Sequence, residues 1–224
     1  YAENQIERQM YFAQNVLDQT LRSQERVLTT TASVLAADFG FKQAVATRDK
    51  NTVESVLFNH GKRINADLML ILDLEGKLST TSSLHSFDEK TIQANITKLP
   101  FREVHAQILS IENKVYQVIV VPVKAPRVIA YTVIGFEFDQ VALLKLKDLI
   151  ALDLTLVQNN QLIESSIERE DIIKQLLQGT KQQSPNLLLT RADYFHKTIN
   201  FGGSKDIKAT LSAPLTQIQS DFNR

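Results

Sequence analysis

Between residues 5 and 39 the chain has neither glycine nor proline, and Ile6, Met10, Ala13, Leu17, Leu21, Leu28, Ala32, Leu35 and Phe39 recur at mostly three- and four-residue steps. That spacing predicts one long amphipathic helix. At 1.5 Å per residue it runs roughly 50 Å, more than a small domain covers, so one end must pack on a partner helix or lead elsewhere. Gly40 is expected to break or bend it. A second helix is expected over about 51–64, after the turn-like Thr47-Arg48-Asp49-Lys50, with Asn51 or Thr52 as its cap and Val53, Val56, Leu57 and Ile64 as its apolar side.

The period then changes. Leu68 to Leu72 is a continuous apolar run, Asp73-Leu74-Glu75-Gly76 a turn, and about 77–81 a returning strand, which together read as a β-hairpin. A polar, helical stretch near 88–98 precedes three strands at about 104–111, 115–123 and 128–138. The short turns Glu112-Asn113-Lys114 and Lys124-Ala125-Pro126 make those strands antiparallel neighbours. Five strands with flanking helices form one α+β unit. The same order follows in abbreviated form: a helix over about 139–150, strands at 153–158 and 161–165 around Asn159-Asn160, a helix over about 168–177 stopping at Gly179, and two or three strands near 187–191, 193–201 and 206–213. Phe201-Gly202-Gly203-Ser204-Lys205 reads as a hairpin loop, and the segment after Pro214 as the start of another helix. The expected division is 1–46 as a helical signalling and dimerisation segment, 47–138 as a first lobe and 139–224 as a smaller second lobe.

With 224 residues and a hydrophobic fraction of 43%, the chain has ample material for a packed interior. Its 25 basic residues balance 25 acidic ones, so no overall field exists to draw in nucleic acid or an anionic bilayer. No run of about 18 apolar residues is present to span a membrane, and YAENQIERQM lacks the order of a signal peptide. The chain opens without Met, and both ends read as though cut from something longer. The absence of Cys removes disulfides, thiolate metal sites and cysteine nucleophiles together, and suits an oxidising compartment.

Two stretches carry a resemblance. LTTTASVLAADFGFKQAVATRDKNTVESVLFNHGKRINADLMLILDLEGKL, residues 28–78, resembles the double Cache family of extracytoplasmic bacterial sensors, in its double sensory domain variety. VIGFEFDQVALLKLKDLIALDLTLV, residues 133–157, is similar to the point where the first lobe of that family hands over to the second. The resemblance implies a long N-terminal helix followed by two PAS-like lobes with antiparallel sheets, the first distal and the second proximal to the membrane. It implies tethering by transmembrane helices outside this segment, in the inner membrane, and a cytoplasmic output that is a diguanylate cyclase or phosphodiesterase, a histidine kinase or a chemoreceptor module, with cyclic dinucleotide turnover favoured.

No constellation for catalysis is found. His60, His85, His105 and His196 show no metal-ligand spacing, and His60, beside Gly61 at a helix end, reads as a capping or surface residue. Neither G-x-S-x-G nor S-x-x-K occurs, Phe201 to Lys205 lacks the spacing of a phosphate-binding loop, and the turn at Asp73 lacks the closing acidic residue of a calcium loop. No metal or cofactor is expected.

Sensor lobes of this kind take small molecules between the sheet and the segment crossing it. The expected contacts in the first lobe are Arg102, His105, Tyr116 and Tyr131, with Arg63 and Asp67 at the mouth of the opening strand; Arg191, Tyr194 and His196 are the analogues in the second. Each has a plainer explanation: Tyr packs well in half-buried strands, and Arg63 with Asp67 forms an ordinary ion pair. A cationic, aromatic pocket favours a small carboxylate, while the lack of Trp tells against the family's amino-acid signature. The long helix is expected to pair its apolar seam with a second copy, giving a parallel homodimer with its first 20 residues beyond the lobes. The alternative role is a ligand-free dimerisation or periplasmic protein-interaction module.

Overall fold

The computed structural model describes residues 2–83, 87–179, 188–189, 194–214 and 216. Three helices come first: α1 (Ala2–Ala37), α2 (Phe39–Thr47) and α3 (Lys50–Ile64). They are followed by β1 (Leu68–Leu72), β2 (Leu78–Ser83), α4 (Glu89–Ile96), β3 (His105–Ile111), β4 (Lys114–Lys124) and β5 (Val128–Glu137). The rest of the chain forms α5 (Gln140–Ile150), β6 (Asp153–Gln158), β7 (Gln161–Ser165), α6 (Glu170–Gly179), β8 (Leu188–Leu189), β9 (Tyr194–Asn200) and β10 (Ile207–Pro214). The expected helix after Pro214 lies outside the described residues.

Local chemistry sets the helix boundaries. The break falls at Asp38, whose extended backbone leaves its carboxylate free to accept from Phe41 N at 2.8 Å, so Asp38 caps α2 and Gly40 lies inside that helix instead of breaking it. Arg48, in the left-handed region at φ 57°, ends α2. Asp49 caps α3 in place of the expected Asn51 or Thr52, accepting from Thr52 N at 2.9 Å and Thr52 Oγ1 at 2.6 Å. The geometry favours Asp49 because it is the last non-helical residue and stands three positions before an otherwise unpaired N–H.

Both sheets are five-stranded and antiparallel, in the orders β2-β1-β5-β4-β3 and β7-β6-β10-β9-β8. The second is therefore a complete topological repeat of the first, including the short β8.

The chain divides into two compact units, Ser23–Glu137 and Tyr1–Arg22 with Phe138–Arg224. The first 20 residues do not stand clear of the lobes: Ile6, Met10, Ala13 and Leu17 are buried, so this end of the seam is already used within the chain.

In the Ser23–Glu137 unit, β1 lies between β2 and β5 with all five of its residues buried. Leu68, Leu70 and Leu72 pack with Ile92, Ile96 and Leu99 on one side, while Met69 and Ile71 pack with Phe41, Val53 and Leu57 on the other. A strand covered on both faces needs an unbroken apolar run, and each such side chain stabilises the fold by roughly 1.5–3 kcal/mol. Gly135 on β5 is required by close packing, since a Cβ there would lie 2.9 Å from Leu68 Cβ.

In the other unit the sheet has two unlike faces. Leu154, Leu156, Phe195, Ala209, Leu211 and Ala213 lie on one, and Thr155, His196, Thr210 and Ser212, one residue out of phase, on the other. All ten are buried.

Candidate functional site

The cross-strand register of the first sheet decides where the expected contacts stand. Four rows run across the α4 side: Leu72 and Pro122 around Tyr131; Leu70, Val133, Val120 and His105; Leu68, Gly135, Val118 and Gln107; Glu137, Tyr116 and Leu109. Tyr131, His105 and Tyr116 therefore share one face. Tyr131 and Tyr116 sit three rows apart, about 20 Å along the strands, and the rows between them are mostly aliphatic. Tyr131 meets Phe101 edge-on at 5.2 Å and Tyr116 meets Phe87 at 6.1 Å. His105 Nε2 lies 3.1 Å from Gln107 Oε1.

The three charged candidates stand elsewhere. Arg102 is exposed, its guanidinium 6.0 Å from the Phe101 ring centroid. Arg63 is exposed in the last turn of α3, where its charge suits the helix dipole. Asp67 accepts from Glu137 N at 2.7 Å, joining the start of β1 to the end of β5. That backbone bond takes the place of the expected ion pair with Arg63. The six residues do not converge on one cavity.

Tyr116 has one unusual feature. It is fully buried, and among the described residues its hydroxyl has no hydrogen-bond partner. Burial pushes the phenol pKa well up, and the Glu137, Asp67 and Glu112 carboxylates add to the shift. An unsatisfied buried hydroxyl costs about 1–3 kcal/mol. Tyr116→Phe is therefore expected to raise unfolding stability by about 1 kcal/mol in urea titrations, whereas a loss of that size would show that the hydroxyl is engaged.

On the opposite side of this sheet a cleft of about 460 Å³ opens between α2, α3 and the β1–β2 turn, with Val45, Val53, Ile71 and Ala130 as apolar lining and Arg48, Asp73 and Glu75 among its polar residues. Asp73 Oδ1 is occupied by the N–H groups of Glu75, at 3.0 Å, and Lys77, at 2.8 Å.

In the second unit His196 and Tyr194 lie on the polar face, their rings stacked at 6.0 Å; Arg191 lies outside the described residues. His196 Nδ1 is 2.6 Å from Ser212 Oγ, and its Nε2 is buried without a partner. Burial lowers its pKa to about 4, keeping the ring neutral. Thr155, Ser165, Thr210 and Ser212 beside it were not anticipated as candidates. Their sequence signal is the alternation Ala209-Thr210-Leu211-Ser212-Ala213, where small hydroxyls occupy every second place of an otherwise apolar strand. Among the described residues no group of three His, Asp or Glu side chains is placed to hold a metal ion, and no helix is long and apolar enough to cross a membrane.

Two sheets of identical strand order, each following a helix of the chain, define a two-lobed α+β module. The family described as the double sensory domain of two-component sensor kinase matches residues 3–196, and the chain belongs to it. It is a sensory family, not a catalytic one. Among solved structures, the fold is similar to the periplasmic domain of Vibrio cholerae LuxQ, at a TM-score of 0.67 and 8% identity over 90% of this chain and 98% of that one. It is also similar to a domain of a sensory box/GGDEF family protein from Vibrio parahaemolyticus, at 0.58 and 11% over 97% and 98%. A third likeness is to the sensory domain of the Campylobacter jejuni chemoreceptor Tlp3 with isoleucine bound, at 0.55 and 14% over 97% and 95%. At these identities the likeness is one of fold. No curated protein matches the sequence.

Proposed function

We propose that this sensor domain is the extracytoplasmic, small-molecule-sensing part of a receptor held in the bacterial inner membrane by helices outside the segment, and that it controls a cytoplasmic output. The observation that supports this most is the family match across 3–196, which takes in the whole first sheet and, of the second, β6, β7, β8 and the start of β9. Cyclic dinucleotide turnover is the favoured output, since a GGDEF protein is among the fold's neighbours; a kinase or chemoreceptor output is the other choice. In the first lobe the α4 side, with His105, Tyr116 and Tyr131, remains the proposed ligand face, and Arg102 flanks it through Phe101.

The receptor works as a homodimer through α1. Because most of the predicted apolar seam is buried in the chain itself, pairing uses the exposed apolar residues Phe12, Val27 and Val34, which lie within about 60° of one another around α1. This exposed set also supports the second reading, a module whose task is to hold a dimer.

A thermal-shift screen of the segment against carboxylates, amino acids, polyamines and nucleobases tests the sensing role, because a ligand bound only by the folded state raises its melting temperature. A rise of several degrees for one class is expected, and Tyr131→Ala is expected to abolish a response located in the first lobe. No rise for any class would shift the reading to dimerisation.

A further inference from the structure

The two sheets share a strand order but not the chemistry of their faces. Where β1, β4 and β5 present Leu68, Leu70, Val118, Val120 and Val133 to α4, the second sheet carries a continuous polar row. His196 pairs in register with Ser212, and Ser212 with Asp153; one row further on, Thr198, Thr210, Thr155 and Ser165 follow one another across four strands. Tyr194, on the same face two residues before His196, packs with Ile167, Ile172 and Leu176, which places this row on the side of the sheet that α6 covers.

Most of the row is deeply buried: His196 is 3% exposed, Ser212 0%, Thr210 1%, Thr155 0% and Ser165 6%, while Asp153 is half-buried and Thr198, at the β9 end, is exposed. Most of its groups satisfy one another. Thr155 Oγ1 is 2.7 Å from Ser165 Oγ, Thr198 Oγ1 is 3.0 Å from Thr210 Oγ1, and Ser166 Oγ donates to Asp153 at 2.8 Å. The exception is His196: Ser212 holds Nδ1, which orients the ring, and among the described residues Nε2 has no partner. A purely structural row has no use for an oriented imidazole with one nitrogen unpaired, since leaving it so costs about 1–3 kcal/mol.

We propose that this buried polar face is a second ligand site, one that takes a small uncharged molecule bearing hydroxyl or carboxamide groups, with His196 Nε2 as its anchor. The assignment rests on the sensory reading above and extends it to the second lobe. The class follows from the donors and acceptors present. Hydroxyls and a neutral imidazole each donate or accept, which suits alcohols and amides. A buried anion needs a compensating cation. Among the described residues Lys147 is engaged with Asp153, Arg169 with Asp171, Lys174 with Glu170 and Lys208 with Asn200, and Lys197 of β9, in register with Leu211, stands on the opposite face.

The test is a titration of the whole segment, labelled with 15N-histidine, with glycerol, myo-inositol, glucose and acetamide, and in parallel with acetate, succinate and glycine, recording the His196 Nε2 resonance and the melting temperature. His196→Gln assigns the resonance. The expected result is that at least one uncharged probe moves Nε2 and raises the melting temperature by several degrees, and that Ser212→Ala, which frees the ring while leaving the other pairs intact, weakens the response at least tenfold. If no uncharged probe moves Nε2, its partner is a buried water only and the proposal is overturned. An equal response in Ser212→Ala also overturns it. If no uncharged probe moves Nε2 while a charged probe raises the melting temperature, this site is removed and the sensory reading stays in place.

Discussion

Ile71→Asp is expected to unfold the Ser23–Glu137 unit. Ile71 is buried in the centre of β1, on the side packed by α2 and α3, among Phe41, Val53, Leu57, Ile119 and Ile134. The substitution removes about 2 kcal/mol of apolar burial and places a carboxylate in an apolar cluster, where the cleft it lines holds one cation, Arg48, against the carboxylates of Asp73 and Glu75. The group must ionise at great cost or bind a proton. A combined loss above about 4 kcal/mol is expected, against a typical domain stability of about 5–15 kcal/mol. Urea titration followed by circular dichroism reads it. Ile71→Val should cost only about 1 kcal/mol, and Leu74→Asp, at an exposed turn position, about 0.5 kcal/mol or less. A well-folded Ile71→Asp protein with a normal urea midpoint would mean that β1 is not covered on this side.

The second large effect is a pH dependence carried by His196. In the unfolded chain its pKa takes the ordinary value near 6.5, and in the fold burial lowers it to about 4. Between those values the unfolded chain binds a proton that the folded chain refuses. The contribution is therefore complete above about pH 6.5, declines as the pH falls through this window, and is gone below about pH 4. Its ceiling is about 3 kcal/mol. Asp153, the acidic residue in the row, is held by Lys147 at 2.8 Å and by Ser166, and the Tyr194 ring stacks on the imidazole. Comparing unfolding free energies at pH 7.5 and pH 4.5, the native chain is expected to lose about 2 kcal/mol more than His196→Gln. Identical losses in both proteins would show that the imidazole is solvated.

Much of the fold was legible because its signals are local. The apolar run Leu68 to Leu72 and the Asn159-Asn160 turn each specify an element directly, and β1, β6 and β7 coincide with their expected bounds. Boundaries set by side-chain capping were not legible. Gly40 looks like a break and Thr52 like a cap, while the carboxylates of Asp38 and Asp49 decide both points. The site was harder still. Tyr116 and Tyr131 lie on strands correctly anticipated, yet their separation depends on the register of β4 against β5, a long-range property that no local pattern encodes. The use of Asp67 as an acceptor for Glu137 N, 70 residues away, was hidden for the same reason. His196 was among the expected residues, but its partner Ser212 becomes visible only when β9 and β10 are placed side by side.

The central claim, that this sensory domain faces away from the cytoplasm, is tested most directly by labelling. The chain contains no Cys, so Glu54→Cys, at an exposed position of α3, introduces a single thiol into the segment. In the full-length receptor, with any cysteines outside the segment replaced, intact spheroplasts are treated with a membrane-impermeant maleimide. Labelling at Glu54→Cys without lysis is the expected result; labelling only after lysis would place the domain in the cytoplasm and contradict the proposed function.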